Sequence, residues 1–454
     1  MVYKKDNKLI NLHFIFIIIY LLLIVESFTP VERYGHSSVL VGNKIYFFGG
    51  YDGRNYTNEV FYLDLSQKFD TELPPWTDLT SNSGIGFKSS WATTVAINDK
   101  NNNPIIFLIG GVNLDQVGGS AFTSLVYTFN LQSGQWKIPK IKGTETVRRS
   151  YIQAVVDETG KIYVFGGLFD GSTGLEMSQD MIILNTNDLT LSYGTITNSP
   201  LKRYLYTATL LPNGMILYIG GLEYDNIEKE VDINQINLYD TIHDKWSQAR
   251  STYQVESRFG HTAVLAQDGT IIINGGMKGE FLKYMKAIPD LAVLNTQPSP
   301  YEWIVPQKSS NIDEFPSLAF HTANVFENYM IVSFGCLTHP IGLAESSWSK
   351  KIFLLNTKNY TWVNKFEPLN TSLTNPPSKT TTNIPLASPK ANDGQLTKTK
   401  VIIGIISGVL GTISFMIIGI FGYKWYQNRK LKVIGILRIP GNANLKNAKK
   451  CIIM

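Results

Sequence analysis

Five basic side chains recur along the first 260 residues: Arg33, Lys88, Arg149, Arg203 and Arg258. Leu318 continues the series without a charge. Gathered on one surface, such cations would hold an acidic ligand through charge-assisted hydrogen bonds. Each paired with its own carboxylate, they would tie elements of the fold together instead. Both readings stand on the residues alone. Three histidines, His36, His261 and His321, follow at a fixed offset, in RYGH, RFGH and AFH. Neutral imidazoles can ligate a metal or complete a turn. There are two cysteines, Cys336 and Cys451. Three sequons, at Asn55, Asn359 and Asn370, could accept N-linked glycan.

These residues are positioned by a repeat. Apolar β-type runs end on glycine pairs in IYFFGG (to Gly50), IIFLIGG (to Gly111), IYVFGG (to Gly167), ILYIGG (to Gly221) and IIINGG (to Gly276). A sixth run, MIVSFGC, ends at Cys336, and is read with Gly335 as its first glycine and Cys336 replacing the second. Trp76, Trp136, Trp246, Trp303 and Trp362 follow at constant phase, with Tyr193 in the tryptophan place of the third unit. Asp64, Asn130, Asn185, Asp240, Asn295 and Asn356 close a further run in each unit. Each unit thus holds four short strands. In the fifth they are expected near 261–266, 271–274, 291–294 and 302–305. One such sheet cannot bury both its faces. Radial packing of neighbours solves this and leaves only short edges, which is the β-propeller solution. The expected fold is therefore all-β, a six-bladed propeller over 28–366. The first unit begins with its first strand and the last ends with its fourth, so each blade is expected to be contiguous in sequence, with closure by strand exchange as the alternative.

The glycine pair and the phased tryptophan resemble the kelch repeat across residues 33–366. The Trp-Asp pair of WD-repeat propellers is absent, since Thr77 follows Trp76 and Ser247 follows Trp246. The resemblance implies a propeller ring. It also implies that arginines at the Arg33 position, and residues just after the glycine pair, contact an acidic peptide. The latter positions are read as Tyr51, Val112, Leu168, Leu222, Met277 and Leu337. A ligand-binding face is expected to include Arg33, Lys88, Arg149, Arg203, Arg258 and Tyr51. Kelch propellers also include galactose oxidase, whose copper site needs paired tyrosines, two histidines and a cysteine cross-linked to tyrosine. Cys336 is the one cysteine ahead of the expected membrane span, and it is read as a buried small residue at a glycine position. Ring symmetry would spread the three histidines apart. His243 and His339 show no ligand spacing. No metal, cofactor or catalytic residue is expected. An oxidase or other carbohydrate-active enzyme on this scaffold is the alternative to a recognition or adhesion module for a protein or glycan.

The two ends set an expected topology. Lys4, Lys5 and Lys8 precede an apolar run from Phe14 to Val25, the pattern of a signal peptide ending near Ser27, or of an uncleaved signal anchor. Val401 to Tyr423 carries no charge and is long enough to cross a hydrocarbon core of about 30 Å. Residues 424–454 hold basic side chains and no acidic one, which marks the cytoplasmic side. The expectation is a single-pass type I membrane protein of the secretory route or cell surface. Residues 367–400, rich in Thr, Ser, Pro and Asn, read as a disordered stalk. The formal charge of +5 is concentrated in the tail, so the ectodomain is net acidic and nucleic acid is not an expected partner. Gly404-x-x-x-Gly408 could pair two spanning helices into a homodimer. The chain ends Cys451-Ile452-Ile453-Met454, a prenylation pattern of the farnesyl type. Mass spectrometry of the C-terminal peptide from the native host should find Cys451 lipidated and the last three residues removed. An intact, unmodified terminus would leave the tail with its basic residues alone.

Overall fold

A computed structural model describes residues 28–369, apart from 84–87, 100, 115–123, 172–173, 226, 253–254, 280–283, 308–314 and 339–347. The expected signal segment, spanning segment and basic tail lie outside the described residues, as does the stalk from 370 onward. Asn370, Cys451 and His339 lie outside them too. Within the described residues no helix is long and apolar enough to cross a membrane. The fold there is all-β and propeller-like, with one helical turn at Thr80–Asn82.

Among the described residues, six sheets repeat one plan of four antiparallel strands in chain order, and the third adds Lys142–Gly143 as a fifth strand, parallel to its outermost strand. The first consists of Ser37–Val41, Lys44–Phe48, Val60–Asp64 and Trp76–Asp78. The fifth consists of Thr262–Leu265, Ile271–Asn274, Leu291–Asn295 and Glu302–Ile304, close to the expected bounds. The sixth runs from Thr322–Phe326 to Thr361–Val363. First strands are rich in small residues, as in SSVLV, TATL and TAVL, and line the axis. Second strands are covered on both faces, so KIYFF, MILYI and IIIN read as unbroken apolar runs rather than alternations.

Tryptophans of the outer strands pack back onto the preceding sheet. Trp136 lies 5.5 Å from Phe48 and Trp246 lies 4.8 Å from Phe165. Trp76 closes the series against Phe334 of the sixth unit at 5.8 Å. The third unit corrects one expectation. Trp76, Trp136 and Trp246 pair with Leu63, Phe129 and Tyr239, and the equivalent partner Leu184 pairs with Leu191. Leu191 is buried and takes the tryptophan's place, whereas Tyr193 is exposed two residues further on.

The units are joined at the axis by one residue from each. The N–H of Gly35 donates to Phe320 O (3.1 Å), Phe320 to Gly260 (2.7 Å), Gly260 to Leu205 (3.1 Å), Leu205 to Tyr151 (3.0 Å), Tyr151 to Trp91 (3.1 Å), and Trp91 back to Gly35 (2.6 Å). The circuit is closed. All six residues have left-handed backbone, with φ between 56° and 63°. A second set of bonds runs parallel to it. The second glycine of each pair donates to the next unit: Gly50 to Ser89 O, Gly111 to Arg149 O, Gly167 to Arg203 O, Gly221 to Arg258 O and Gly276 to Leu318 O, with Gly335 reaching Arg33 O at 2.8 Å.

That last bond corrects the reading of the sixth unit. Gly335 is the second glycine, at φ 98°, and Phe334 stands at the first position with φ 60°. A side chain is poorly suited there, because a Cβ on Gly166, the equivalent in the third unit, would lie 2.5 Å from Arg203 O. Cys336 is therefore the residue after the pair, in place of Leu337. The second unit is shifted too, because Ser89, not Lys88, occupies the Arg33 register.

Each sheet is contiguous in sequence, without strand exchange. A clasp beyond the sixth sheet adds to the closure. Lys365–Phe366 pairs antiparallel with Phe69–Asp70 of the first unit, and Thr71 N–H donates to Asn364 O at 2.8 Å. Phe366 is fully buried, stacked on Phe69 at 5.0 Å and beside Tyr329 at 5.1 Å. Phe366→Ala should lower the unfolding free energy of the full chain by about 3–5 kcal/mol in chemical denaturation, the cost of emptying a buried aromatic site. Lys365→Ala, an exposed neighbour, should change it by less than about 0.5 kcal/mol. Equal effects would mean that the clasp does not help to close the ring.

Candidate ligand-binding site

The series of basic residues is built into the walls. Arg33, Arg149, Arg203 and Arg258 are each at most 2% exposed. Arg33 donates to Gly49 O (2.8 Å) and pairs with Glu59. Arg149 donates to Gly166 O (3.2 Å) and pairs with Asp180. Arg258 donates to Gly275 O (2.9 Å) and Pro289 O (2.8 Å). Arg203 lies 3.7 Å from Glu223. Three of the four thus hold the carbonyl of their own unit's first glycine. Burial lowers the pKa of Arg203 and Arg258 to about 10, partly offset by nearby carboxylates, and leaves both charged at neutral pH. Lys88 is half-buried one residue before the register, and the Ser89 hydroxyl donates to Asn113 Oδ1 at 2.7 Å. Leu318 is fully buried. Tyr51 is buried too, edge-on to Tyr34 (5.5 Å) and Tyr56 (5.3 Å).

The left-handed residues decide the shape of the axis. Glycine suits that conformation, and a non-glycine residue held there costs about 1–3 kcal/mol. Gly35 and Gly260 occupy it in two units, but Trp91, Tyr151, Leu205 and Phe320 occupy it in the others. Their side chains turn into the axis. Trp91 and Tyr151 lie 4.5 Å apart, and Phe320 meets Trp91 edge-on at 5.2 Å. The same four side chains border two cavities, a channel of about 180 Å³ and a basin of about 440 Å³.

The channel wall carries the histidines. His36 Nε2 lies 2.8 Å from Thr322 Oγ1, His261 Nε2 lies 3.1 Å from Thr207 Oγ1, and His321 Nε2 lies 2.9 Å from Thr262 Oγ1. Each bond crosses to the preceding unit. Complete burial drives all three pKa values down, that of His321 to about 3. The imidazoles are therefore neutral near pH 7. Among the described residues no three His, Cys, Asp or Glu side chains converge to hold a metal. His243 is exposed and sits 2.7 Å from Asp240. Cys336 is buried in the apolar cluster that floors the basin, with Tyr51, Leu168, Leu222 and Met277 from the equivalent positions of other units.

The basin opens on the side of the segments that follow the glycine pairs. Tyr56, Tyr151, Tyr204 and Tyr284 line it, together with Asp170 and Glu228 and with Arg148 and Arg149. Glu228 accepts a hydrogen bond from the Tyr204 hydroxyl at 2.5 Å. Burial and Glu228 together raise the pKa of Tyr284 to about 12. Hairpins of three successive units stand around the opening: Leu168–Gly171 with Gly174–Met177, Leu222–Asp225 with Ile227–Glu230, and Met277–Lys278 with Met285–Lys286. Their tips expose Leu175, Tyr224, Ile227 and Met285. They lie in the segments 168–180, 222–235 and 277–290 after the glycine pairs, whose length and varied content mark a binding surface in the sequence, although the repeat pattern does not single out the individual residues. The alternation of apolar and charged residues in LEYDNIEKE was the available signal for the fourth hairpin. Asn55 and Asn359 are exposed, in a segment after a glycine pair and in a third-to-fourth-strand turn respectively.

The profile described as Attractin/LZTR1 beta-propeller matches residues 21–286. Kelch domain-containing protein 1 of Homo sapiens is 24% identical over 294 residues, 61% of this chain and 69% of the relative. Kelch domain-containing protein 3 of Rattus norvegicus is 28% identical over 260 residues, 54% of this chain and 64% of the relative. The solved structure of YjhT superposes with a TM-score of 0.53 over 74% of this chain and 98% of that one, at 14% identity, a likeness of fold alone.

The histidines make stability depend on pH. Below about 6.5 they are protonated in the unfolded chain but not in the folded one, so the unfolded state binds more protons. Stability should fall as pH drops from about 6.5 towards the value of about 3 for His321, by up to about 1.4 kcal/mol per pH unit for each histidine. Replacing His36, His261 and His321 together with Gln should flatten this part of the pH profile of thermal unfolding. An unchanged slope would show that the imidazoles become protonated without unfolding.

Proposed function

The chain belongs to the attractin/LZTR1 β-propeller family, and from that premise we propose that it is a non-catalytic, six-bladed kelch propeller that binds a macromolecular partner at the rim of its basin. Six blades are supported by the six repeated sheets and by the closed circuit of six backbone hydrogen bonds. The observation that carries the binding role is the rim. Leu175 and Ile227 are 66% and 69% exposed, on hairpins around a basin that Trp91, Tyr151, Leu205 and Phe320 close off below. Apolar side chains exposed around a concave, aromatic surface mark interaction sites. A rigid ring can carry such segments without disturbing its core.

The membrane setting is part of the same proposal. The apolar N-terminal run, the uncharged segment 401–423 and the basic tail support a type I arrangement with the propeller outside. The exposure of Asn55 and Asn359 suits N-glycosylation in that compartment. Pairing through Gly404 and Gly408, and a lipid on Cys451, would then act on the membrane side.

The test is a binding screen of the full chain in lipid nanodiscs against cell-surface proteins and cell-wall glycans. Leu175→Lys with Ile227→Lys should weaken binding to any hit at least tenfold. Ile242→Lys, at an exposed turn between third and fourth strands, should leave it unchanged. Hits equally insensitive to both changes would place the interaction elsewhere.

A further inference from the structure

Two carboxylates, Glu228 and Asp170, and two guanidiniums, Arg148 and Arg149, line the basin. Among the described residues neither carboxylate is paired with a cation. The neighbouring basic side chains are committed to other groups. Lys229 pairs with Glu223 (3.3 Å), Lys278 with Glu256 (2.6 Å) and Lys286 with Asp290 (3.6 Å). Arg149 is buried against Asp180, and Arg148 reaches Asn113 O at 3.4 Å in the second unit. Most of the remaining wall is aromatic, with aliphatic side chains such as Leu168 and Leu175. The hydroxyl of Tyr284, a residue 5% exposed, has no hydrogen-bond partner among the described residues. The basin thus joins aromatic rings, an unused hydroxyl acceptor, two carboxylates without a cation partner among the described residues, and two guanidiniums already engaged by Asp180 and Asn113 O.

We propose that the basin receives the basic side chain, lysine or arginine, of a protein partner. The reasons are chemical. A cation over tyrosine or tryptophan is attracted by the ring quadrupole, more so when water is excluded. An ammonium or guanidinium brings only donors, which suit the Glu228 and Asp170 carboxylates and the Tyr284 hydroxyl oxygen. The volume of about 440 Å³ admits a long side chain, whose stem would lie against the aromatic floor while its head meets the carboxylates. This polarity is opposite to the acidic ligand that a ring of arginines would select, because those guanidiniums lie inside the walls. The inference rests on the rim as the docking surface, and it names what the partner places at its centre.

The experiment uses n-butylammonium as a probe of the full chain in nanodiscs, read by saturation-transfer NMR of the probe. Butylammonium should bind, whereas 1-butanol and methyl β-galactoside should bind at least tenfold more weakly. Glu228→Gln with Asp170→Asn should weaken butylammonium binding about tenfold. Glu302→Gln, on an outer strand, should leave it unchanged. Neutral probes binding as well as the ammonium would overturn the proposal, as would a double variant that binds it normally. If butylammonium fails while Leu175→Lys with Ile227→Lys still abolishes partner capture, the cation inference falls and the recognition role stands.

Discussion

The structure depends on a closed circuit of backbone hydrogen bonds among Gly35, Trp91, Tyr151, Leu205, Gly260 and Phe320. Each link requires left-handed backbone, since only that geometry turns one residue's N–H to the preceding unit and its C=O to the next. The conformational cost at the four non-glycine positions is borne by the circuit as a whole. One open link would leave a buried donor and a buried acceptor unpaired, at about 1–3 kcal/mol for each group. The six units are therefore coupled, and the clasp at Lys365–Phe366 acts where the two ends of the array meet.

The arginines and glycines follow from that circuit. Arg33, Arg149 and Arg258 each hold the first-glycine carbonyl of their own unit through the side chain, and the main-chain carbonyl of each accepts from the second glycine of the unit before. One residue thus fixes both its own blade and its neighbour. Where Ser89 and Leu318 replace arginine, the main-chain bond survives, because it needs no particular side chain. The histidine–threonine bonds add a further tie between units, and they require the imidazole to stay neutral in the channel wall.

Using large residues at left-handed positions converts a channel into a floor. Trp91, Tyr151, Leu205 and Phe320 occupy the axis, so the space above them is a basin rather than a passage. The basin takes its character from segments that the repeat does not constrain. Leu175, Ile227 and Glu228 lie on hairpins whose pairing is local, as in Asp225↔Ile227 and Gly171↔Gly174. The chemistry offered to a partner is thereby separated from the bonds that close the ring.

The sequence by itself determined the all-β class, the repeat and nearly every strand, because glycine pairs, phased tryptophans and unbroken apolar runs are direct consequences of local backbone and burial. It misplaced residues wherever the marker residue was replaced. Phe334 at a glycine position shifted the sixth unit by one, Lys88 stood in for Ser89, and Tyr193 stood in for Leu191. In each case the true position is defined by a bond to another strand or unit, which no local pattern records. Charge was legible but its direction was not. Arg33, Arg149, Arg203 and Arg258 were open to two readings, a surface for an acidic ligand or ties to carboxylates of the fold, and the tertiary structure buries them against Glu59, Asp180, Glu223 and backbone carbonyls. Which side chains face water at the axis is settled only when the units close on one another, because closure alone decides which polar groups are satisfied inside and which remain for a partner.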